Sequence, residues 1–207
     1  MRNKPLTVAA VVFPGFELLD LFGPLELLGM LGERATLAVV AEETGTVMSS
    51  QGPATVAEGA LSQVRRPGLL LVPGGLGTRQ QINNANFLEL LREAAAEAEY
   101  VASVCTGSML LARAGLLDGR RATSNKRAFD AVVTQGPHVQ WVREARWVQD
   151  GNYFTSSGVS AGMDMTLALI QKVYGRKTAL EIAHRAEYSW REDSTVDPFA
   201  TPAPVRT

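Results

Sequence analysis

Cys105 stands in the run Ser103-Val104-Cys105-Thr106-Gly107, where a short apolar stretch gives way to a helical pattern. A reactive residue at the end of a buried strand, with small residues two places before and after it, is the pattern of a nucleophile elbow. The small neighbours let strand and helix approach closely and tolerate strained dihedrals at the centre. A cysteine placed there sits at a helix N-terminus, where amides and the helix dipole favour the thiolate. This predicts a pKa lowered from the free-thiol value of about 8.5. A lone cysteine is most often a small hydrophobe in a core; the elbow context turns the reading toward a nucleophile.

Other residues could serve such a thiol. Asp20 lies among apolar neighbours in Leu18-Leu19-Asp20-Leu21-Phe22-Gly23-Pro24, so its carboxyl is either buried and functional or rotated to solvent. Glu17 and Glu26 read as solvated. Gly74-Gly75-Leu76-Gly77 follows an apolar run and has three readings: a phosphate cradle, a backbone-amide site for a developing anion beside the thiol, or a structural turn. No acidic ribose-binding residue ends a second strand and no Lys-Ser/Thr pair follows the glycines, which argues against dinucleotide and P-loop sites. His138 and His184 could form a Cys-His pair, but nothing local orients either, and a plain structural histidine is favoured for both. Trp141, Trp147 and Trp190 read as packing residues rather than platforms for nucleic-acid bases.

The elements that must position these groups follow from hydrophobic periodicity. Residues 6–13 (LTVAAVVF), 35–41 (ATLAVVA), 69–72 (LLLV) and 100–104 are short apolar runs that read as buried strands. Helical spacing runs from Phe16 to Leu28, from Phe87 to Ala98 and from Cys105 to Ala114. It recurs over residues 126–133, 160–174 and 177–186. Residues 141–155 read as a hairpin turning at Asp150-Gly151, and the polar, Pro-containing stretch from Asp193 as an extended or mobile tail. Strands alternating with helices predict an α/β fold with a mostly parallel sheet between helix layers. There is no internal repeat, low-complexity linker or break in composition, so the 207 residues are expected to form one domain. In such folds ligands bind beyond the carboxyl ends of the strands, here at Pro14-Gly15, Pro73-Gly74-Gly75 and Cys105-Thr106-Gly107.

Composition narrows the function further. A chain of this length can bury roughly 70% of its extended surface without disulfides or a structural metal. Lys and Arg number 20 against 21 Asp and Glu, a net charge of -1, so there is no basic surplus to hold a nucleic acid. One cysteine and two histidines cannot form an internal disulfide and are a poor kit for zinc. The apolar stretch ending at Phe13 is too short to span a bilayer and is broken by Pro14-Gly15 before any cleavage site. A cytoplasmic protein is expected, with no membrane partner.

The combination of Phe13-Pro14-Gly15-Phe16, Leu19-Asp20-Leu21-Phe22-Gly23-Pro24, Val72-Pro73-Gly74-Gly75 and Ser103-Val104-Cys105-Thr106-Gly107 resembles the ThiJ/PfpI superfamily. The resemblance continues through residues 114–123, Ser157-Gly158-Val159-Ser160-Ala161-Gly162-Met163-Asp164 and Glu187-Tyr188, so it covers nearly the whole chain in order. It implies a flavodoxin-like three-layer sandwich of the class I glutamine amidotransferase type. Within the superfamily the pattern most resembles isocyanide (isonitrile) hydratases, which carry Asp on the first helix and Thr after the cysteine. Carried across, Cys105 is the nucleophile, Asp20 the carboxyl that bonds it and handles protons, and Thr106 a neighbour shaping the pocket. Gly74, Gly75 and the Thr106 amide belong to the anion-stabilising site.

The implied reaction adds water to R-N≡C and gives an N-substituted formamide, with no metal or cofactor and a small-molecule electrophile as substrate. Thr106 replaces the histidine that protease and amidotransferase branches place beside the cysteine, which disfavours those activities. Where the hydratase-like pattern often has a histidine after Arg121-Ala122-Thr123, this chain has Ser124-Asn125-Lys126-Arg127, which changes polarity at the pocket rim. The alternatives are a glyoxalase- or deglycase-like enzyme on α-oxoaldehydes and a non-catalytic thiol redox or ligand sensor. Similar domains begin AraC-type regulators, in which a helix-turn-helix region follows; this chain, ending at Thr207, leaves no room for one. Members of the superfamily are commonly homodimers, and the apolar helix from Phe16 to Leu28 could serve the interface.

Overall fold

The computed structural model describes residues 4–200. In chain order the strands are β1 (Leu6–Val11), β2 (Ala35–Ala41), β3 (Gly45–Met48), β4 (Ala54–Ala57), β5 (Gly59–Ala60), β6 (Leu69–Val72), β7 (Tyr100–Val104), β8 (Arg121–Ala122), β9 (Gln140–Trp141), β10 (Trp147–Asp150) and β11 (Tyr153–Ser156). The helices are α1 (Leu18–Gly29), α2 (Thr78–Gln81), α3 (Ala85–Glu97), α4 (Gly107–Arg113), α5 (Phe129–Val133), α6 (Ala161–Tyr174) and α7 (Arg176–Arg185).

Seven strands form one sheet in the order β10-β11-β7-β6-β1-β2-β5. Every neighbouring pair is parallel except β10 with β11. One layer holds α1, α6 and α7, and the other holds α2 to α5, so the predicted α/β sandwich with a mostly parallel sheet is present. Covering both faces buries β6 completely and leaves only Thr7 of β1 exposed, which is why these strands read as continuous apolar runs. From β1 the chain steps to β2 on one side and later to β6 on the other. The reversal opens a crevice at the carboxyl ends of β1 and β6, the usual ligand position in such sheets.

Several expectations needed correction. Strand β2 is mostly half-buried rather than buried, because it is flanked by the two-residue β5 near the sheet edge. The hairpin is β10–β11, starting at Trp147; Trp141 instead pairs with β8 in a separate two-stranded sheet. Helix α5 starts at Phe129 rather than Lys126, because Asn125 Oδ1 accepts from the amides of Arg127 and Ala128 and holds a turn there. The β3–β4 hairpin and the one-turn α2 were not foreseen.

The tail, expected to be extended or mobile, is without helix or strand over residues 193–200. Residues 201–207 lie outside the described residues, whereas 193–200 are docked. The Arg146 amide donates to the Ser194 carbonyl (2.8 Å) and the Asp197 amide to that of Glu144 (2.8 Å). No helix among the described residues is long and apolar enough to cross a membrane.

Candidate active site

Cys105 joins β7 to α4 with φ at +56°, a left-handed conformation that costs a non-glycine residue of order 1–2 kcal/mol. The surroundings hold it there. Its amide donates to the carbonyls of Ser156 (3.2 Å) and Ser157 (3.4 Å). Its carbonyl accepts from the hydroxyls of Ser124 (2.9 Å) and Ser108 (3.1 Å). At Gly107 a Cβ would overlap the Val72 carbonyl oxygen and stand 2.9 Å from that of Pro73, so only glycine lets α4 start this close to the end of β6. The elbow therefore exists as a backbone fact.

Asp20 is wholly buried on α1. Pro24, one turn further on, has no N–H to give to the Asp20 carbonyl, which loosens the helix at that point. The carboxyl faces inward: Oδ2 accepts from the Gly74 amide at 3.0 Å. Oδ1 makes no hydrogen bond, although the carboxyl and the Cys105 thiol are near enough to interact. Burial, and secondly the Glu17 charge, push Asp20 up to about 8, against the stabilising Gly74 amide. At neutral pH this carboxyl holds its proton. Glu17 itself is half-buried and accepts from Gln51 Nε2 (2.6 Å) rather than standing free in solvent.

The sulfur departs from expectation. Burial, then the neighbouring Asp20 charge, push the Cys105 thiol up; hydrogen bonds from the Thr106 amide, Asn125 and the Thr106 hydroxyl oppose this without overcoming it. Helix α4 spans 7 residues, and its amides do not offset the desolvation of a sulfur that is 7% exposed. The resting site is therefore a neutral thiol beside a neutral carboxyl, with three donors arranged for the moment charge develops on sulfur.

Gly74 and Gly75 are drawn into this site structurally. A Cβ on Gly74 would stand 2.6 Å from both the amide nitrogen and the hydroxyl of Thr106 and 2.9 Å from Asp20 Oδ2. Gly75 has φ at +127°, and a Cβ there would lie 2.6 Å from the Glu17 amide. The expected anion-binding role of the Gly75 amide meets an obstacle, since it donates to Thr106 Oγ1 at 3.1 Å. The Gly74 amide is likewise given to Asp20. The glycine run is thus a turn that packs the ends of β1 and β7 together and fixes Thr106, with the Thr106 amide the donor directed at sulfur.

Asn125 donates to the Cys105 sulfur while its Oδ1 holds the turn before α5. Opposite it is Gly158, where a Cβ would stand 3.0 Å from Sγ and overlap the Asn125 amide nitrogen. Gly158, Ser108, Ser124 and the Ser156–Ser157 carbonyls were missed as site residues; the run Ser157-Gly158-Val159-Ser160 had been matched only as family pattern. Asn125, Ser157 and Gly158 also line a cleft of about 1210 Å³, completed by Leu19, Val159 and Phe199 among others.

The Lys126 stem borders the same cleft, but its ammonium turns inward. It donates to Thr123 Oγ1 (2.8 Å) and the Ala145 carbonyl (2.6 Å), so it does not present its charge at the rim as expected. His138 and His184 are exposed and take no part. The three tryptophans pack: Trp141 and Trp190 donate to the carbonyls of Gly136 and Asp164, and Trp147 is buried. A smaller cavity of about 430 Å³, lined by Phe13, Glu42, Gln81 and Phe87 among others, shares no residue with the surroundings of the sulfur.

Known proteins resemble this chain in sequence and in fold. The chain is 35% identical over 184 residues to an isonitrile hydratase of Pseudomonas putida, covering 89% of this chain and 79% of that one. It is 30% identical over 179 residues to the HTH-type transcriptional regulator CdhR of Pseudomonas aeruginosa, covering 84% of this chain but only 53% of the regulator. A crystal structure of a ThiJ/PfpI family protein from Pseudomonas syringae superposes with a TM-score of 0.83 at 32% identity, covering 96% of this chain and 79% of that one. With residues 6–172 matching the family's sequence model as well, the chain belongs to the DJ-1/PfpI family.

Proposed function

We propose that this chain is a cysteine-dependent hydratase that adds water to small isocyanides and releases N-substituted formamides. The observation that carries the reading is a fully buried carboxyl, held by the Gly74 amide, beside a cysteine at a strand-to-helix elbow; burial raises the affinity of that carboxyl for its proton. Isocyanide hydration requires a nucleophile and an acid aimed at one carbon, and these two groups supply both. The 35% identity with an isonitrile hydratase supports the substrate class.

In the proposed sequence Cys105 sulfur bonds the terminal carbon of R-N≡C while Asp20 gives that carbon a proton, forming R-N=CH-S-Cys105. The thiol proton refills the carboxylate. Water then adds to the same carbon and the C–S bond breaks. The electron pair and a proton return to Cys105, and R-NH-CHO leaves. The donors from Thr106 and Asn125 stabilise sulfur while it carries charge, and Thr106 Oγ1 keeps the Gly75 turn in place.

Formamide release from an isocyanide, followed by chromatography, tests the reading. Cys105→Ala is expected to abolish turnover, and Asp20→Asn to lower kcat by roughly a hundredfold to ten-thousandfold with the fold intact. Full activity in Cys105→Ala would refute it. The regulator similarity favours a second reading, ligand binding without turnover, in which the wild type binds an isocyanide but yields no formamide. The peroxide-sensor alternative is separated by intact mass: it would leave Cys105 as a sulfinate after peroxide, with no formamide formed. An α-oxoaldehyde substrate is separated by assaying methylglyoxal in parallel.

A further inference from the structure

Residues 193–200 lie beyond the last helix, which ends at Arg185, and reach the cleft, where Pro198, Phe199 and Ala200 join its lining. The anchor is Asp197, whose side chain is fully buried. Its Oδ1 accepts from the Phe199 amide (3.1 Å), and its carbonyl from the Ala200 amide (3.0 Å), so one residue shapes the turn that presents Phe199. The same carboxylate stands 3.8 Å from both Lys126 Nζ and Arg146 Nη1, cations that are themselves buried.

Arg146 is already paired with Asp164 at 2.6 Å, so Asp197 brings a second carboxylate to two buried cations. Arg146 Nη1 and Asp197 Oδ2 have no hydrogen-bond partner among the described residues. Charge attraction across 3.8 Å therefore adds to the backbone hydrogen bonds from Arg146 to Ser194 and from Asp197 to Glu144 in holding this anchor. Lys126 follows Asn125 directly in the chain, so adjacent residues hold the strap and touch the sulfur.

Phe199 is 65% exposed although its backbone is fixed. A large apolar ring on a fixed backbone, in the lining of a cleft that Leu19 and Val159 also line and that is roomy enough for a ring-bearing ligand, gains from an apolar ligand surface. We propose that residues 193–200 are a strap latched by Asp197 to Lys126 and Arg146, and that Phe199 makes the site prefer electrophiles bearing a bulky apolar substituent. The isocyanide form of this statement rests on the function proposed above; the strap itself does not.

The test compares kcat/KM for cyclohexyl and methyl isocyanide in wild type, Phe199→Ala, Phe199→Leu and Asp197→Asn. The cyclohexyl-to-methyl ratio is expected to fall about tenfold or more in Phe199→Ala and Asp197→Asn. Phe199→Leu should recover most of it, since an apolar wall returns. In parallel, intact mass follows alkylation of the single cysteine by N-cyclohexyl and N-methyl maleimide; the rate ratio should shift the same way. A ratio unchanged within about twofold in Phe199→Ala, an exposed position whose substitution leaves the fold in place, overturns the proposal. If the wild type hydrates neither isocyanide, the substrate reading falls and the maleimide ratio alone decides the strap.

Discussion

Protons at Asp20 and Cys105 are governed by burial more than by neighbours. The Gly74 amide at 3.0 Å favours the carboxylate, yet removing the group from water outweighs it. This has a stability consequence of definite sign. An unfolded Asp20 loses its proton near 3.8, whereas the folded one keeps it up to about 8. Between those values only the folded state binds the proton, so this residue's contribution falls as pH rises through the window. Asp20→Asn removes the titration while its side-chain carbonyl can still accept from Gly74. The variant's melting temperature is thus expected to exceed that of wild type by more at pH 8 than at pH 5, and an equal difference at both would contradict the buried-acid account. Hydratase kcat/KM should fall above about pH 8, as Asp20 ceases to be an acid.

At the scale of elements, three turns converge and each depends on small residues. The end of β1 meets the Gly74–Gly77 turn after β6, and α4 leaves β7 against the end of β6. Gly107→Ala would force its Cβ onto the Val72 and Pro73 carbonyls, and backbone atoms cannot yield as a flexible side chain can. A loss of about 1–3 kcal/mol in urea unfolding is expected, together with lower activity because the Cys105 elbow shifts. An unchanged urea midpoint would show that the close approach is not needed. The elements missed in the sequence include β3, β4 and α2, 4 residues each, and β5, 2 residues. Segments this short hold at most about one helical turn or two strand alternations, too few to establish a period, and their neighbours decide them.

On the scale of the whole molecule, α1 has two sides. Asp20 and Leu21 point into the core, while Leu19 and Phe22 are 43% and 42% exposed. Gly23 lets Met163 of α6 come close, since a Cβ there would stand 2.9 Å from its side chain. An exposed apolar strip of this kind suits a second copy of the chain, as expected of a homodimer. Light scattering should give twice the chain mass of 22.2 kDa, and Phe22→Glu should return it to the single-chain value. A wild type that remains at one chain mass when concentrated would rule out the dimer.

Local chemistry determined much of what could be read before any coordinates. The strand runs at residues 69–72 and 100–104, the elbow around Cys105 and its close-packed Gly107 were legible because each depends on neighbours within a few positions. Proximity between Asp20, Gly74, Thr106, Asn125 and Gly158 was implied only through family resemblance or not at all, since their meeting depends on how the sheet reverses direction after β1. Only the tertiary structure decided the charge state of the thiol, because desolvation is set by everything packed around it. It likewise decided, for a tail expected to be extended or mobile, that residues 198–200 line the cleft, because Asp197 finds Lys126 and Arg146 only once distant segments have come together.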